Sequence, residues 1–452
     1  FDVKATGVMS LKTFKRGVHP SYHKELTAHK RTERAPLPKK VVIPLQQHIG
    51  APCKPLVKKK DTVEEGQQIG EAVAFVSAPV HASISGKVKD VGEYPYSGGG
   101  KVLSVIIDGD GAVKEWPEGE VGLDLDGYTP HDIREAIKEA GIVGMGGAGF
   151  PTHVKLSPPK DKRIDTVILN GCECEPYLTS DHRIMLESTE KILWGMKAIM
   201  KVVGASKAYI GIEDNKMDAI EAMGEASKGI LPNLEVVPLE TKYPQGAEKM
   251  LIKATLDRKV PAGKLPLDVG VVVNNTGTAA AIYDALKIRK PLIERIVTLS
   301  GLGLVEPKNL LARIGTPFSE LIDCCGGLKE GGEKAVLNGG PMMGKAQSTL
   351  DVPVVKGTSG ITVLASDEVK IGNHQPCIRC ASCVEACPVD LMPYRIGDLG
   401  RMEKIDVFKT WGGLTCIECG CCSYVCPTNR PLAQWIRVGK VKIREAEKRK
   451  AK

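Results

Sequence analysis

Two runs of cysteines constrain this chain more than any other feature of its sequence. The first, "CIRCASCVEACP", occupies residues 377–388, and the second, "CIECGCCSYVCP", occupies residues 416–427. Each has the spacing C-x2-C-x2-C-x3-C-P, so three thiols recur at intervals of three residues and a fourth precedes a proline. Thiols this close together can bind neighbouring corners of one compact inorganic centre. The runs therefore predict metal or redox chemistry rather than a disulfide framework.

The same spacing is the run with which bacterial ferredoxins hold a [4Fe–4S] cluster. In two-cluster ferredoxins the fourth cysteine of each run ligates the other cluster. The sequence thus predicts two [4Fe–4S] clusters with crossed ligands: Cys377, Cys380, Cys383 and Cys426 for one, and Cys416, Cys419, Cys422 and Cys387 for the other. Cys421 fits neither run and is predicted to be a spare thiol.

Paired structural zinc sites are the alternative interpretation, because CxxC pairs also bind zinc. A zinc site usually takes its four ligands from two separated pairs, and not from three closely spaced cysteines before a Cys-Pro. The doubled pattern therefore favours iron–sulfur clusters, and two clusters that share ligands predict a path for single electrons.

The charge of the chain is concentrated at its ends. The net charge is +8 over 452 residues, with a surplus of +7 in residues 1–40 and +6 in residues 437–452, which leaves −5 for the body. Solvated tails are one interpretation, and docking on an acidic partner or anionic lipid is the other. Basic ends on an acidic body do not predict a nucleic-acid groove, so no nucleic-acid partner is expected.

Two absences suggest where the chain resides. No apolar stretch reaches the roughly 18 residues that a membrane-spanning helix requires. The first residues, "FDVKATGVMSLKTFKRG", contain no apolar segment typical of a secretory signal. A cytosolic chain without a span of its own is therefore expected.

The hydrophobic pattern changes along the chain and predicts a multidomain α/β protein. A basic extension (1–40) is followed by short strands and turns (41–125) that resemble the barrel-sandwich hybrid of biotinyl and lipoyl carriers, without the lysine that is modified there. Residues 126–290 alternate strands and helices, which predicts a Rossmann-like parallel sheet. Residues 291–350 resemble a β-grasp module of the soluble-ligand-binding kind, residues 366–436 form a ferredoxin-like domain, and a basic tail (437–452) follows.

The segment "GMGGAGF" (144–150) is a candidate ligand loop. Glycines let backbone N–H groups approach a phosphate or a ring closely. The loop lacks the GK[ST] ending of a phosphate-binding P-loop. It also follows a predicted helix, "TPHDIREAIKEAGIVG", rather than a strand, so it is not the standard dinucleotide fingerprint. Taken alone, the segment is more typical of a turn.

Four segments in order change that interpretation: "GMGGAGFPTHVK", "NGCECEP", "YPQGAE" and "VVVNNTGT". Together they resemble the flavin and NADH site of the NADH-oxidising subunit of respiratory complex I. When the flanking domains and "FKRGVHPSYHKELTA" are included, the chain from about residue 12 to residue 435 resembles the C subunits of Rnf complexes.

The resemblance implies FMN and NAD(H) in addition to the clusters, and it assigns their contacts residue by residue. The residues implied to bind cofactor are Gly144, Gly146, Gly147, Phe150, Lys155, Asn170, Glu173, Glu175, Gly246, Glu248, Asn274, Asn275 and Thr276. Glu175 and Glu248 are the implied catalytic residues, and Phe150 is the phenylalanine that would contact NADH.

Other interpretations of these segments stay open. Glu173 and Glu175 flank Cys174, which could suggest a metal site, and Asn274 and Asn275 could simply end a strand. Two acidic positions of the complex I pattern are Cys172 and Ala247 here, which weakens the NADH contacts more than the flavin contacts.

The resemblance implies an NADH-oxidising or NAD⁺-reducing subunit of a membrane-bound, ion-translocating ferredoxin:NAD⁺ oxidoreductase. Its flavin would convert between the hydride of NADH, which carries two electrons, and clusters that accept one. The expected partners are an iron–sulfur subunit, integral membrane subunits and, indirectly, ferredoxin, with the chain peripheral on the cytoplasmic side of the cell membrane. A cobalamin reductase of the propanediol-utilisation type and a non-catalytic electron carrier or assembly subunit are the alternatives.

Overall fold

Antiparallel strands with buried β-branched residues dominate the N-terminal part of the computed structural model, which describes residues 11–117, 125–331, 335–369 and 372–450. The strands are β1 (Thr32–Arg34), β2 (Lys40–Pro44), β3 (Lys54–Pro55), β4 (Thr62–Val63), β5 (Gln68–Glu71), β6 (Val80–His81), β7 (Gly86–Pro95) and β8 (Lys101–Gly109). Strands β2 to β8 form the sheets β2-β8-β7-β4 and β3-β5-β6, whose apolar side chains share one core, whereas β1 joins a sheet of the third unit. This is the predicted barrel-sandwich hybrid.

The second unit is a parallel sheet with helices around it. Its elements are α1 (Pro130–Glu139), α2 (Thr152–Lys155), β9 (Thr166–Asn170), α3 (Ser180–Glu187), α4 (Thr189–Val203), β10 (Lys207–Glu213), α5 (Met217–Ile230), β11 (Leu234–Leu239), α6 (Glu248–Leu256), β12 (Val271–Asn275) and α7 (Thr276–Lys287). The strand order is β11-β10-β9-β12, and every pair is parallel. Helix α1 begins at the predicted cap, Thr129, whose hydroxyl accepts from the Asp132 backbone N–H.

The third unit is a mixed sheet with one short helix. It contains β13 (Glu294–Ser300), β14 (Lys308–Arg313), α8 (Phe318–Asp323), β15 (Ala335–Asn338), β16 (Lys345–Ala346) and β17 (Gly360–Leu364). The order is β1-β14-β13-β17-β15-β16, so the sheet reaches past the expected end of the module at residue 350. Strand β17 belongs to it because it pairs with both β13 and β15.

The C-terminal unit is helical and surrounds the two cysteine runs. Its helices are α9 (Ser382–Glu385), α10 (Pro393–Arg401), α11 (Ile405–Thr410), α12 (Cys421–Tyr424) and α13 (Leu432–Lys450). Five short 3₁₀ helices complete the described secondary structure, at Lys24–Leu26, Leu125–Gly127, Asp214–Lys216, Pro266–Val269 and Gly413–Thr415. In the described part of the chain, no helix is both long enough and apolar enough to cross a membrane.

The described residues of both basic ends, 11–40 and 437–450, pack against the rest of the chain. In the N-terminal extension, Phe14 and Val18 are buried and β1 pairs with β14. In the expected tail, residues 437–450 continue α13, where Ile443 is 1% exposed in a core with α10 and α11. The reason is the spacing of apolar residues, which keeps one face of α13 against the other helices.

Candidate functional site

The glycine loop is fastened at both ends and open at its tip. The Gly144 N–H donates to the Phe150 carbonyl at 2.9 Å, and the Met145 N–H donates to Thr278 Oγ1 at 2.9 Å. Residues 146–148 are exposed. The loop thus presents backbone at a defined position, as a ligand cradle requires.

Two glycines of the tip serve different purposes. A Cβ at Gly146 would lie 2.5 Å from Asn275 Nδ2, so the protein itself needs glycine there. A Cβ at Gly147 would meet no protein atom within 4 Å. Nothing in the fold requires glycine at position 147, and the open space beside it is where a ligand could approach the backbone.

The asparagines meet at the carboxyl ends of β9 and β12, where Asn170 and Asn275 lie in register. The Asn170 amide donates to the Gly246 carbonyl at 2.8 Å and thereby holds that glycine in place. Asn275 caps α7, because its Oδ1 accepts from the Gly277 N–H at 2.8 Å. These two predicted cofactor ligands therefore fasten the protein around the site.

Two neighbouring side chains have polar atoms without a protein partner. Asn274 Nδ2 and Thr276 Oγ1 are buried and make no hydrogen bond within the described ranges. Buried polar atoms in native proteins are nearly always satisfied, by protein, water or ligand. These two atoms, the open Gly147 and the exposed loop tip fit a cofactor with phosphate, ribityl and ring oxygens.

Lys155 and Glu248 form an ion pair at the edge of the site. The Lys155 ammonium lies 2.8 Å from Glu248 Oε1 and donates to the Val273 carbonyl at 2.6 Å. The side chains are 33% and 37% exposed, so both keep a face towards solvent. A cation beside the glycine loop can stabilise an anionic ligand, and a carboxylate next to it can orient that cation.

Glu173, a predicted cofactor contact, also has a structural role. Its carboxylate accepts from the backbone N–H groups of Asp181 at 2.7 Å and His182 at 3.0 Å, and also from the Ser180 hydroxyl. It therefore caps the N-terminus of α3, where a negative charge is favourable.

Glu175 reaches in another direction, to the loop that follows β15. Its two carboxylate oxygens accept from the N–H groups of Met342 at 3.1 Å and Met343 at 2.8 Å. The glutamates on either side of Cys174 thus serve different structures, which argues against a metal site at "CEC". Glu175 thus ties the second unit, which contains the glycine loop and is called the flavin unit below, to the third unit, the β-grasp module.

Burial raises the pKa of Glu175 to about 7, while its backbone hydrogen bonds and the charges of Lys24 and Arg437 oppose the shift. Between its ordinary pKa of 4.5 and about 7, the folded chain keeps a proton that the unfolded chain has released. Stability therefore falls as the pH rises through this window.

Glu175→Gln should remove that part of the pH dependence, because the amide does not ionise. The melting temperature of the variant minus that of the wild type should become more positive as the pH is raised from about 5 to about 8. Calorimetry measures both melting temperatures. A difference in melting temperature that stays constant with pH would contradict the raised pKa.

The crossed assignment of the eight cluster cysteines stays a prediction, and the positions of the thiols are compatible with it. Cys377, Cys380, Cys383 and Cys426 line one cavity of about 440 Å³, although Cys426 comes from the other run. In the second set, burial raises the pKa of the Cys422 thiol, and the nearby thiols of Cys416, Cys419, Cys387 and Cys383 raise it further.

One cluster site lies against the flavin unit, and the other has two thiols at the surface. The Tyr243 hydroxyl, just before the "QGAE" segment, donates to the Cys419 carbonyl at 2.7 Å. Cys421 is fully buried in a core with Tyr243 and Cys174, so this spare thiol has a packing role. In the other set, Cys377 and Cys380 are exposed.

Several residues of the site have no signal in the sequence. Arg295 of β13 donates to the carbonyl of Met145 in the glycine loop at 3.3 Å, and Asp181 accepts from the Asn275 amide at 2.6 Å. Burial raises the pKa of Asp181 to about 7, and Glu173 adds to the shift. Both lie outside the four motifs, Asp181 five residues after "NGCECEP" and Arg295 seventeen after "VVVNNTGT", so only the fold reveals their contacts.

Four protein-family models match the chain in consecutive segments. They are the RnfC barrel-sandwich hybrid domain at residues 12–112, the Nuo51 FMN-binding domain at 137–284, the SLBB domain at 296–346 and the 4Fe-4S dicluster domain at 376–430. These matches confirm the predicted fold classes and the predicted cofactors, FMN and two [4Fe–4S] clusters.

Two relatives resemble the chain over nearly its whole length. The C subunit of the proton-translocating ferredoxin:NAD⁺ oxidoreductase complex of Clostridium ljungdahlii is 51% identical over 98% of this chain and 96% of its own. The C subunit of the Na⁺-translocating complex of Acetobacterium woodii is 49% identical over 95% of this chain and 97% of its own. A solved NAD⁺-reducing [NiFe]-hydrogenase in its H₂-reduced state aligns with 70% of this chain and 63% of its own, with a TM-score of 0.49 and 18% identity. The chain belongs to the RnfC family, the C subunits of ion-translocating ferredoxin:NAD⁺ oxidoreductase complexes.

Proposed function

We propose that this chain exchanges electrons between NAD(H), FMN and two [4Fe–4S] clusters, as the NAD(H)-reacting subunit of a membrane-bound ferredoxin:NAD⁺ oxidoreductase. The observation that carries the proposal is the contact between Tyr243 and Cys419, which joins the flavin unit directly to one cluster site. The whole-length similarity to RnfC proteins favours this function over that of a cobalamin reductase.

FMN, when bound, takes up the two electrons of a hydride and passes them on one at a time. The protein supplies the cradle in which this occurs. The tip of the glycine loop offers backbone N–H groups, Lys155 offers a positive charge, and the buried polar atoms of Asn274 and Thr276 that no described residue satisfies offer hydrogen bonds. Glu248 orients Lys155 and is 37% exposed, so NAD(H) could reach it from solvent.

The two cysteine sets would place the clusters in series. Cys387, Cys416, Cys419 and Cys422 would hold the cluster that exchanges electrons with the flavin, since their loop touches the flavin unit. Cys377, Cys380, Cys383 and Cys426 would hold the cluster that exchanges electrons with the partner, since Cys377 and Cys380 are exposed.

The surface at the exposed cluster fits an acidic redox partner. Ile378, between the two exposed thiols, is 65% exposed, and the positively charged Arg379 and Arg395 line the same cavity. An apolar centre with a basic surround suits a negatively charged iron–sulfur subunit, through which ferredoxin would be reached. With integral membrane subunits as the other partners, the chain is peripheral on the cytoplasmic face of the membrane.

Glu248→Gln tests the proposed site at its NAD(H) side. The amide keeps a hydrogen bond to Lys155 but removes the negative charge, so the FMN content should stay constant. The rate at which NADH reduces the flavin should fall about tenfold or more. Stopped-flow absorbance measures the rate, and extraction measures the FMN. Glu225→Gln, which removes the carboxylate of an exposed pair with Lys228 on α5, is the matched control.

Two results would count against the proposal. Equal rates in Glu248→Gln and Glu225→Gln would exclude Glu248 from the reaction. A wild-type chain with FMN and iron whose flavin NADH cannot reduce would instead support the electron-carrier or assembly alternative.

A further inference from the structure

Residues 11–28, which we name the strap, run along the junction between the flavin unit and the ferredoxin-like unit. The Val18 N–H donates to the Tyr243 carbonyl at 2.8 Å, and the Tyr243 N–H donates back to the Val18 carbonyl at 2.9 Å. Tyr243 is also the residue whose hydroxyl reaches Cys419. The strap is therefore part of the contact between the flavin unit and the cluster site, a contact that its sequence does not predict.

At its first bend the strap reaches the backbone of a cluster ligand. The Arg16 guanidinium donates to the Val384 carbonyl at 3.0 Å and to the Cys387 carbonyl at 3.5 Å, and it lies 3.3 Å from Asp390 Oδ1. Arg16 and Gly17 both have positive φ, 69° and 85°, which turns the chain sharply here. A Cβ at Gly17 would lie 2.6 Å from the Tyr243 carbonyl oxygen.

At its other end the strap holds the "CECEP" turn of the flavin unit. The buried Lys24 ammonium donates to three carbonyls of that turn, those of Glu173 at 2.7 Å, Glu175 at 3.0 Å and Leu178 at 2.6 Å. Three carbonyl acceptors satisfy all the donors of an ammonium group. A buried cation with this geometry fixes the turn relative to the strap.

The strap thus connects the flavin-side turn to the Cys387 carbonyl through a short ordered segment. We propose that it sets the approach of the flavin site to the cluster of Cys387, Cys416, Cys419 and Cys422, and that Arg16 is a positioning residue which also raises the reduction potential of that cluster. This inference rests on the proposed function, because it takes these four cysteines as ligands of one cluster.

The positive charge of Arg16 determines the direction of the expected shift in reduction potential. A cluster gains a negative charge on reduction, so a nearby cation favours the reduced state, and hydrogen bonds and net charge are among the factors that set cluster potentials. Asp390 offsets part of this effect; it is 58% exposed and also lies 3.6 Å from Lys259. Arg16 is 38% exposed, so solvent weakens its effect without removing it.

The experiment compares Arg16→Gln with Lys12→Gln in the complete, cofactor-loaded chain. Lys12 lies in the same strap and carries the same charge, but it faces Glu235 at 3.7 Å and the Thr255 carbonyl. Redox titrations followed by electron paramagnetic resonance give the potential of each cluster. The signal that disappears in Cys426→Ser identifies the other cluster.

Arg16→Gln should lower the ratio of reduced to oxidised Cys387 cluster about tenfold at a fixed potential, which is about 59 mV for one electron. The potential of the other cluster, the iron content and the FMN content should not change. In Arg16→Lys, which keeps the positive charge, the potential should lie close to that of the wild type. An unshifted potential, or the same shift in Lys12→Gln, would overturn the inference. A wild-type chain without two clusters would instead refute the proposed function.

Discussion

Cys426→Ser is expected to remove one whole cluster, so that iron falls from about eight to about four atoms per chain, with an equal loss of acid-labile sulfide. Cys426 lies in the second run but lines the cavity formed by three cysteines of the first. Its loss should therefore abolish the resonance signal of the exposed cluster and leave that of the cluster beside Tyr243. Iron and sulfide analysis of anaerobically purified protein, together with the resonance spectrum, measures both effects.

Cys421→Ser is the control for this prediction. It lies in the same run and is fully buried, but it packs against Tyr243 and Cys174 and should leave the iron content unchanged. Cys387→Ser should have the reciprocal effect and damage the cluster of the second run. The crossed assignment would be wrong if Cys426→Ser removed the cluster of Cys416, Cys419 and Cys422 instead. Two zinc ions per chain with little sulfide would contradict both clusters.

Gly147→Val is expected to abolish the retention of FMN, from about one per chain to almost none. A Cβ at this glycine would meet no protein atom within 4 Å, so a side chain there enters open space in which a ligand would meet it. Flavin extraction and fluorescence of the purified variant measure the loss, and an unchanged iron content shows that the chain has folded.

Gly224→Ala on α5 is a suitable control, since a Cβ there also meets nothing within 4 Å but lies outside the glycine loop. It should keep its full FMN. If Gly147→Val did the same, the loop would be a turn with no part in flavin binding. Gly146 would be a poorer test, because a side chain there would displace Asn275 whether or not flavin is bound.

The sequence by itself determined the features whose residues lie within a few positions of one another. The spacing of the cysteine runs identifies the clusters, because three ligands of each cubane lie within seven residues. The apolar runs that end in "VILN" and "VVVNN" predict buried parallel strands, and the structure places them side by side in one sheet. The flavin site was implied by the resemblance of four ordered motifs to the NADH-oxidising subunit of complex I, and each of those motifs is short.

Tertiary structure decided what each residue of those motifs does. Asn274 and Asn275 are adjacent in sequence, yet Asn275 caps a helix and Asn274 has an amide that no described residue satisfies. Glu173 and Glu175 are two residues apart, yet one caps α3 and the other holds the loop after β15. No spacing rule separates them, because each role depends on an element that arrives from elsewhere in the chain.

In the basic N-terminal extension, too, the sequence determined the charge and the tertiary structure decided the contacts. Its composition is compatible with a solvated tail, but Lys24 meets Glu175 across 151 residues and Arg16 meets Cys387 across 371. The sequence establishes that each charged side chain must contact water or a partner, since burying an unpaired charge costs free energy. Which partner it finds depends on contacts between distant segments, and these exist only once the domains have packed together.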